Sequence, residues 1–254
     1  MRNVFLAFLG LMIATQVFAW GVTGHRATGL IAERYLTKKA KKKLALLLGD
    51  ESLPMITTWM DEIRSDSTYN RIHPDWHWVT IPDGQTYAEA EKNPNGDNIA
   101  TIMRIVSELK AGGLSRQTEL EYVKIMAHLV GDLHQPLHVG TGNDQGGNQV
   151  RVKWFREESN LHRVWDSDMI DGTRLSYTEL AISVPKPDKT KVAKWQSGSV
   201  AEWAMESAGL RPQVYDIGNG NLGYRYSYKN LPIVRQRILQ AGVRLAGLLN
   251  EIYG

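Results

Sequence analysis

The stretch His128-Leu129-Val130-Gly131-Asp132-Leu133-His134-Gln135-Pro136-Leu137-His138 decides how this chain is read. His128 and Asp132 are four residues apart, so on a helix they share a face. Val123, Ile125, Met126, Ala127, Leu129, Val130 and Leu133 make the segment apolar on nearly every side. That pattern predicts a helix inside the protein, with no broad solvated face. An unpaired charge in a core is costly, and a metal ion is one of the few partners that settles an imidazole and a carboxylate together. Pro136 ends or kinks the helix and sends His138 in another direction. Three candidate ligands on one bent segment could serve two metals.

The whole chain supports that reading and limits the alternatives. With 254 residues, 43% of them hydrophobic, it can build one large domain with a real core. A formal net charge of +3 is compatible with a polyanionic substrate without pointing to one. There is no cysteine, which excludes a disulfide framework and any thiolate metal site. A metal would have to be held by nitrogen and oxygen, with the seven histidines and the carboxylates as the main pool.

Residues 1–19 read as a signal peptide: Arg2, an apolar run from Val4 to Ala14, and a small-residue site at Val17-Phe18-Ala19. The run is too short for a spanning helix. Cleavage between Ala19 and Trp20 removes one positive charge and makes Trp20 the mature N-terminus. Export without cysteines fits a bacterial periplasm or secretion, with no membrane anchor after cleavage.

Downstream, Thr23 can cap a helix carrying His25, Ala27, Leu30, Ile31 and Tyr35. Lys38 to Lys43 leads into Leu44–Leu48 as the solvated face of a surface helix. Pro54 opens a helix through Met55, Trp59 and Ile63 that bears Asp61 and Arg64. His73 to Thr80 is expected to be extended. Helices are expected from about Asn98 to Lys110 and from about Thr118 to His134. Val150, Val152 and Trp154 suggest a strand of a small hairpin, and Leu161 to Met169 a helix bearing His162 and Asp166. Lys191–Ala208 reads as helical, Asp216–Tyr228 as a loop, and Leu231–Ile252 as a long amphipathic helix. The fold class is therefore all-α: one mainly helical domain, residues 20–254, with a small hairpin.

Two His-x-x-x-Asp pairs, His128/Asp132 and His162/Asp166, stand out, joined by His138 after a proline and His25 beside the new N-terminus. Such a donor set suits zinc, with manganese or iron as alternatives. Several metals close together suggest phosphoryl chemistry.

These residues carry a resemblance. Trp20-Gly-x-x-Gly-His25, Trp59-x-Asp61-x-x-Arg64, Trp76-His77-Trp78, His128-x-x-Gly-Asp132-x-x-Gln-Pro-Leu-His138, Gly146-Gly147-Asn148 and Asn160-Leu-His162-x-x-Trp165-Asp166 occur in this order across the mature chain. The sequence resembles the zinc-dependent single-strand nucleases of the fungal S-one and P-one type, as a bacterial member. These nucleases share a fold with zinc-dependent phospholipase C. The resemblance implies three zinc ions. By position, Asp61, His77, His128 and Asp132 would bind one; the α-amine and carbonyl of Trp20 with His25 and Asp132 a second; His138, His162 and Asp166 the third. His73 and His134 would be structural or surface residues.

A terminal amine and its own carbonyl close a five-membered chelate, so Trp20 would serve only after signal cleavage. Arg64, on the face of Asp61, could hold the phosphate, and Asp132 would link the two catalytic metals. Trp78 could stack on an unpaired base and Asn148 could donate to substrate. Plainer readings make Arg64 a surface ion pair and Trp78 a core residue. The expected partners are single-stranded DNA, RNA and nucleotides, for a monomer with no stable protein partner. The activity implied is hydrolysis to 5′-phosphate products, with 3′-nucleotidase activity as an extension. A phospholipase C and a non-catalytic zinc-binding protein are the alternatives. Two departures from the fungal and plant pattern are the missing disulfides and Thr80, which stands where those relatives carry a base-reading Asp.

Overall fold

A computed structural model describes residues 20–69 and 71–254; the expected signal peptide lies outside the described residues. The helix Arg116–Leu133 runs through the centre. Ser115 starts it by accepting the Thr118 amide at 3.1 Å, which satisfies one of the free N–H groups of the first turn. From Val123 to Leu133 every residue is buried, as its all-round apolar sequence requires. The helix Asn98–Ala111, capped by Asp97, packs along it. The helix Lys38–Leu48, capped by Thr37, buries Ala40, Leu44, Leu47 and Leu48 and leaves its lysines in solvent.

The long C-terminal helix, Tyr224–Tyr253, joins two apolar clusters. Val234, Ile238, Leu239 and Val243 belong to one, with Trp20, Ile31, Leu137, Leu161 and Trp165. Leu245, Ala246, Leu248 and Leu249 belong to the other, with Val123, Met126, Val130 and Leu133. The N-terminal helix Val22–Glu33 crosses the C-terminal one at Gly242, where a Cβ would lie 2.6 Å from Ile31 Cβ. Only a glycine permits that approach. The seam between the two clusters falls at Leu133–Leu137, the bend of the decisive stretch.

Strands are few and short. Val79–Thr80 pairs in parallel with Val139–Gly140, in the register Val79 with Val139. Arg151–Trp154 pairs antiparallel with Glu157–Asn160, the expected hairpin, and in parallel with Asn221–Leu222. Among the described residues, no helix is long and apolar enough to cross a membrane.

Several boundaries differ from expectation. The first helix starts at Val22 behind Gly21, so Thr23 lies inside it and caps nothing. The segment after Pro54 is two short helices, Leu53–Ile56 and Trp59–Glu62, broken at Thr57 and Thr58. The Thr57 and Thr58 hydroxyls donate back to the carbonyls of Pro54 and Met55, the local competition that bends helices. His73–Thr80 is not extended throughout: Pro74–His77 is a 3-10 turn, with His73 as its N-cap and Pro74 in the first-turn position that prolines favour. Lys191–Ala208 resolves into Lys189–Gln196 and Val200–Ala208, the second opened by a Ser199/Glu202 capping box. The expected loop up to Tyr228 is already helical from Tyr224, and Pro232 lies inside that helix. Tyr177–Ser183 is a further helix, one the sequence did not announce.

Candidate metal centre

Five side chains from four segments meet under the central helix. The N-terminal helix contributes His25, the broken segment Asp61, the 3-10 turn His77, and the central helix His128 and Asp132. Asp132 faces two ways: Oδ1 lies 3.2 Å from His25 Nε2, and Oδ2 lies 3.0 Å from His77 Nδ1 and 3.2 Å from His128 Nε2. His128 Nε2 is 3.8 Å from Asp61 Oδ1 and 3.0 Å from His77 Nδ1. The His25 and His128 rings stack at 4.1 Å. Gly131 makes room for this stack, since a Cβ there would lie 2.8 Å from His25 Nδ1. Trp20, fully buried, packs beside Gly131 and closes the site from the N-terminal side.

A second group forms where the chain turns after Pro136. His162 Nε2 lies 3.0 Å and His138 Nε2 3.8 Å from the Asp166 carboxylate. The parallel pairing of Val79 with Val139 holds His138 beside His77, and His138 Nδ1–H donates to the His77 carbonyl at 2.8 Å. The His162/Asp166 pair lies on a bulged helix, α at Leu161–Arg163 and π at Val164–Asp168, a local form frequent at functional sites.

Each group has an outer layer that fixes which nitrogen faces inward. His128 Nδ1–H donates to Thr57 O at 2.7 Å and His162 Nδ1–H to Gly146 O at 2.6 Å. Gln135, wholly buried, donates Nε2–H to Asp166 Oδ1 at 2.6 Å while its own Oε1 accepts the Leu137 amide. The broken helix at Thr57 thus frees the carbonyl that orients His128. Residue type alone assigns no role to Thr57, Gly131, Gly146 or Gln135; Gly131, Gly146 and Gln135 stand inside the family-like motifs, the one signal that marks them.

The residues fit a metal ion. Among the described residues, both nitrogens of His25, Asp132 Oδ1, and Nε2 of His138 and His162 are buried without a hydrogen bond of sound geometry. Buried polar atoms are rarely left so, and these converge on common points. The ligand atoms of His25, Asp61 and His128, of His77, His128 and Asp132, and of His138, His162 and Asp166 each lie within 4.8 Å of one another. Electrostatics agree. Burial pushes His77 down to about 4, and burial with the neighbouring His128 lowers His25, so both imidazoles are neutral donors. Burial also disfavours charge on His138, yet Asp132 and Asp166 outweigh it and raise that imidazole to about 9.

The other candidates are placed more loosely. Arg64 Nη2 lies 2.5 Å from Asp61 Oδ1 with its side chain 32% exposed, an ion pair at the rim of the first group. Trp78 and Asn148 both line a cavity of about 380 Å³ bordered by Thr80, His138 and His162. Trp78 is half-buried there and is not a core residue. The Asn148 side-chain amide donates to Gln145 O at 2.9 Å and so holds its own loop. His73 caps a 3-10 turn, and His134 lies in the core.

A mainly helical domain with buried His and Asp side chains clustered beside an open cavity could hold metal ions within reach of a substrate. Comparison with known proteins gives the family: the sequence matches the S1/P1 nuclease family over residues 20–254, and the chain belongs to it. It is 31% identical to Endonuclease 4 of Arabidopsis thaliana, covering 97% of this chain and 94% of the relative. It is 26% identical to Nuclease S1 of Aspergillus oryzae, covering 95% and 94%, and 26% identical to Nuclease P1 of Penicillium citrinum, covering 92% and 98%.

Proposed function

We propose that the protein is an exported phosphodiesterase with three zinc ions that hydrolyses single-stranded DNA and RNA to 5′-phosphate products and removes 3′-phosphates from nucleotides. The observation that carries this is the carboxylate of Asp132, which turns one oxygen to His25 and the other to His77 and His128, beside a cavity that opens on the Asp166 group. Membership of a nuclease family supports the substrate class.

Asp61, His77, His128 and Asp132 would hold one zinc; Trp20, His25 and Asp132 a second; His138, His162 and Asp166 a third. Bound zinc supplies Lewis acidity, which lowers the pKa of water and neutralises phosphate and leaving-oxygen charge. The protein's share is geometric. Asp132 fixes the spacing between two groups, and the Thr57, His77 and Gly146 carbonyls hold three imidazoles in the tautomer that points Nε2 inward. Arg64, released from Asp61, would clamp the phosphate and its transition-state charge. Trp78 would stack on the base of the nucleoside whose 3′ oxygen leaves, a contact open to any unpaired base. Asn148 would hold the loop that lines the same subsite. Removal of residues 1–19 would create the α-amine of Trp20 and couple zinc loading to export.

The test is digestion of single-stranded DNA by zinc-loaded protein beginning at Trp20, with mass spectrometry of the products. Fragments bearing 5′-phosphates, abolished by a chelator, are expected. No cleavage with zinc demonstrably bound would overturn the reading. A protein with residues left ahead of Trp20 should be nearly inactive, and full activity would remove the α-amine from the ligand set.

A further inference from the structure

Three cavities lie in a row, each neighbouring pair sharing one lining residue. The first, of about 380 Å³, is the one bordered by Trp78, His138 and His162. The second, of about 550 Å³, lies across Trp78 and His77 and is lined by Arg64, Tyr69 and Ile72. The third, of about 460 Å³, continues beyond Ile72 and is lined by Arg71, Trp76, Arg104 and Tyr122. Trp78 is the wall common to the first pair and Ile72 the wall common to the second. The candidate ligands thus border the first and second cavities, and the third, at the far end of the row, is built of arginine and aromatic side chains.

That far end is preorganised. Arg104 lies over the Trp76 ring at 5.3 Å and over the Tyr122 ring at 5.6 Å. Its Nη1–H groups donate to Glu108 Oε1 at 3.1 Å and to Tyr122 Oη at 3.3 Å. Tyr122 in turn donates to Glu108 at 2.8 Å, and Trp76 Nε1–H is tied to Asn95 O at 2.8 Å. The guanidinium is held in one plane, and among the described residues its hydrogen bonds use only Nη1, so Nε and Nη2 face outward for an acceptor. Arg71 pairs with Glu121 on the opposite wall and Arg104 with Glu108, so the charges here are balanced in pairs and a phosphate would meet Arg104 through the N–H groups that Glu108 does not use.

We propose that this third cavity is a subsite for single-stranded nucleic acid on the 3′ side of the bond that is cut, with Arg104 binding a backbone phosphate. The inference rests on the nuclease reading. If the Asp166 group receives the departing 3′ oxygen, the nucleoside 5′ of the cut fills the first cavity. The strand on the 3′ side must then leave past Arg64 and His77, through the second cavity and into the third. A fixed guanidinium among aromatic rings is the combination that tracks a single-stranded backbone without reading its sequence.

The experiment compares kcat/KM for a dinucleotide with that for the same dinucleotide extended by three nucleotides on its 3′ side or on its 5′ side. Every other linkage is nuclease-resistant but keeps its negative charge. The 3′ extension should raise kcat/KM in the native enzyme, and Arg104→Ala should reduce that advantage about tenfold, the scale of one charge-assisted hydrogen bond. The salt dependence on the 3′-extended substrate should lose about one unit of slope, and Arg104→Lys should restore the slope. The proposal is overturned if Arg104→Ala leaves the 3′ advantage intact, or if the dependence follows the 5′ extension. Failure of the native enzyme to cut even the dinucleotide with its metals bound would instead overturn the nuclease reading and the subsite with it.

Discussion

His128 and His134 belong to the same buried turn of chain and are both wholly enclosed, yet their neighbourhoods are opposite in kind. Beside His128, both nitrogens of His25 and Asp132 Oδ1 are left without a hydrogen bond of sound geometry, and His128 Nε2 meets other candidate ligand atoms, His77 Nδ1 at 3.0 Å and the Asp132 carboxylate at 3.2 Å. At His134, both ring nitrogens are satisfied by ordinary partners. Its Nδ1–H donates to Val130 O at 2.8 Å and its Nε2 accepts from Arg244 Nη1 at 3.0 Å. Burial and the cations Arg237 and Arg244 hold its pKa well below the ordinary value, so it is neutral. Glu206 closes this second network by pairing with both arginines at 2.7 Å. A buried histidine whose lone pair is already used cannot serve a metal, whereas one whose nitrogen is orphaned beside others asks for one.

Asp132→Ala should break the first neighbourhood most severely. It removes the one residue that faces both histidine sets, so activity should fall at least about 10³-fold. Elemental analysis should find two metals fewer per chain. A full complement in this variant would refute the bridging role. Gln135→Leu acts one layer out: it keeps the volume and deletes the hydrogen bond to Asp166. Metal affinity at the Asp166 group should drop about 10- to 100-fold, read by titration against a competing chelator. Affinity equal to that of the native protein would make Gln135 a packing residue only.

His134→Phe tests the other side. It strands the Val130 carbonyl and an Arg244 N–H, at a cost of about 2 kcal/mol in urea unfolding. The metal content should remain complete, and loss of metal would mean that a satisfied nitrogen does not separate structural histidines from ligands. The smallest effect is that of Glu206→Gln. Partial burial disfavours its charge, but Arg244 and Arg237 outweigh that and depress its pKa. A depressed carboxylate stabilises fully above its ordinary pKa, and that contribution is lost as pH falls through the folded value. Because the carboxylate is 42% exposed, the loss at neutral pH should be only about 1 kcal/mol. The variant should unfold with a flatter acid limb and converge on the native protein at low pH. A parallel offset at every pH would show that the charge is not responsible.

How much could be read in advance varied from one segment to another. The central helix was legible because its apolar residues run all round it, a pattern that only an interior helix needs. The Asn98–Ala111 helix was legible from its own ends, Asp97 and Gly112. The aromatic content of Pro74–His77 reads as strand, while its hydrogen bonds, set by the Pro74 and His73 pair, make it a 3-10 turn. The C-terminal helix, expected from Leu231, already runs from Tyr224 and carries Pro232 inside it. The expected zinc-ligand side chains meet in groups because each is carried by a short local motif. Arg64 pairs with Asp61 and Asn148 holds Gln145, contacts that residue type and spacing alone do not announce.

Residue types and short spacings are enough to define the chemistry available: nitrogen and oxygen donors only, two His-x-x-x-Asp turns, a buried helix to carry one of them, and a proline to redirect the chain. These depend on residue type and on spacing of a few positions, which local geometry fixes. The assembled fold settles that Asp132 turns its two oxygens to different histidines, that Thr57, His77 and Gly146 lend their carbonyls, and that Arg104 lies over Trp76 and Tyr122. Those outcomes depend on where separate helices cross, and the close approach at Gly242 and the packing of two apolar clusters set that crossing.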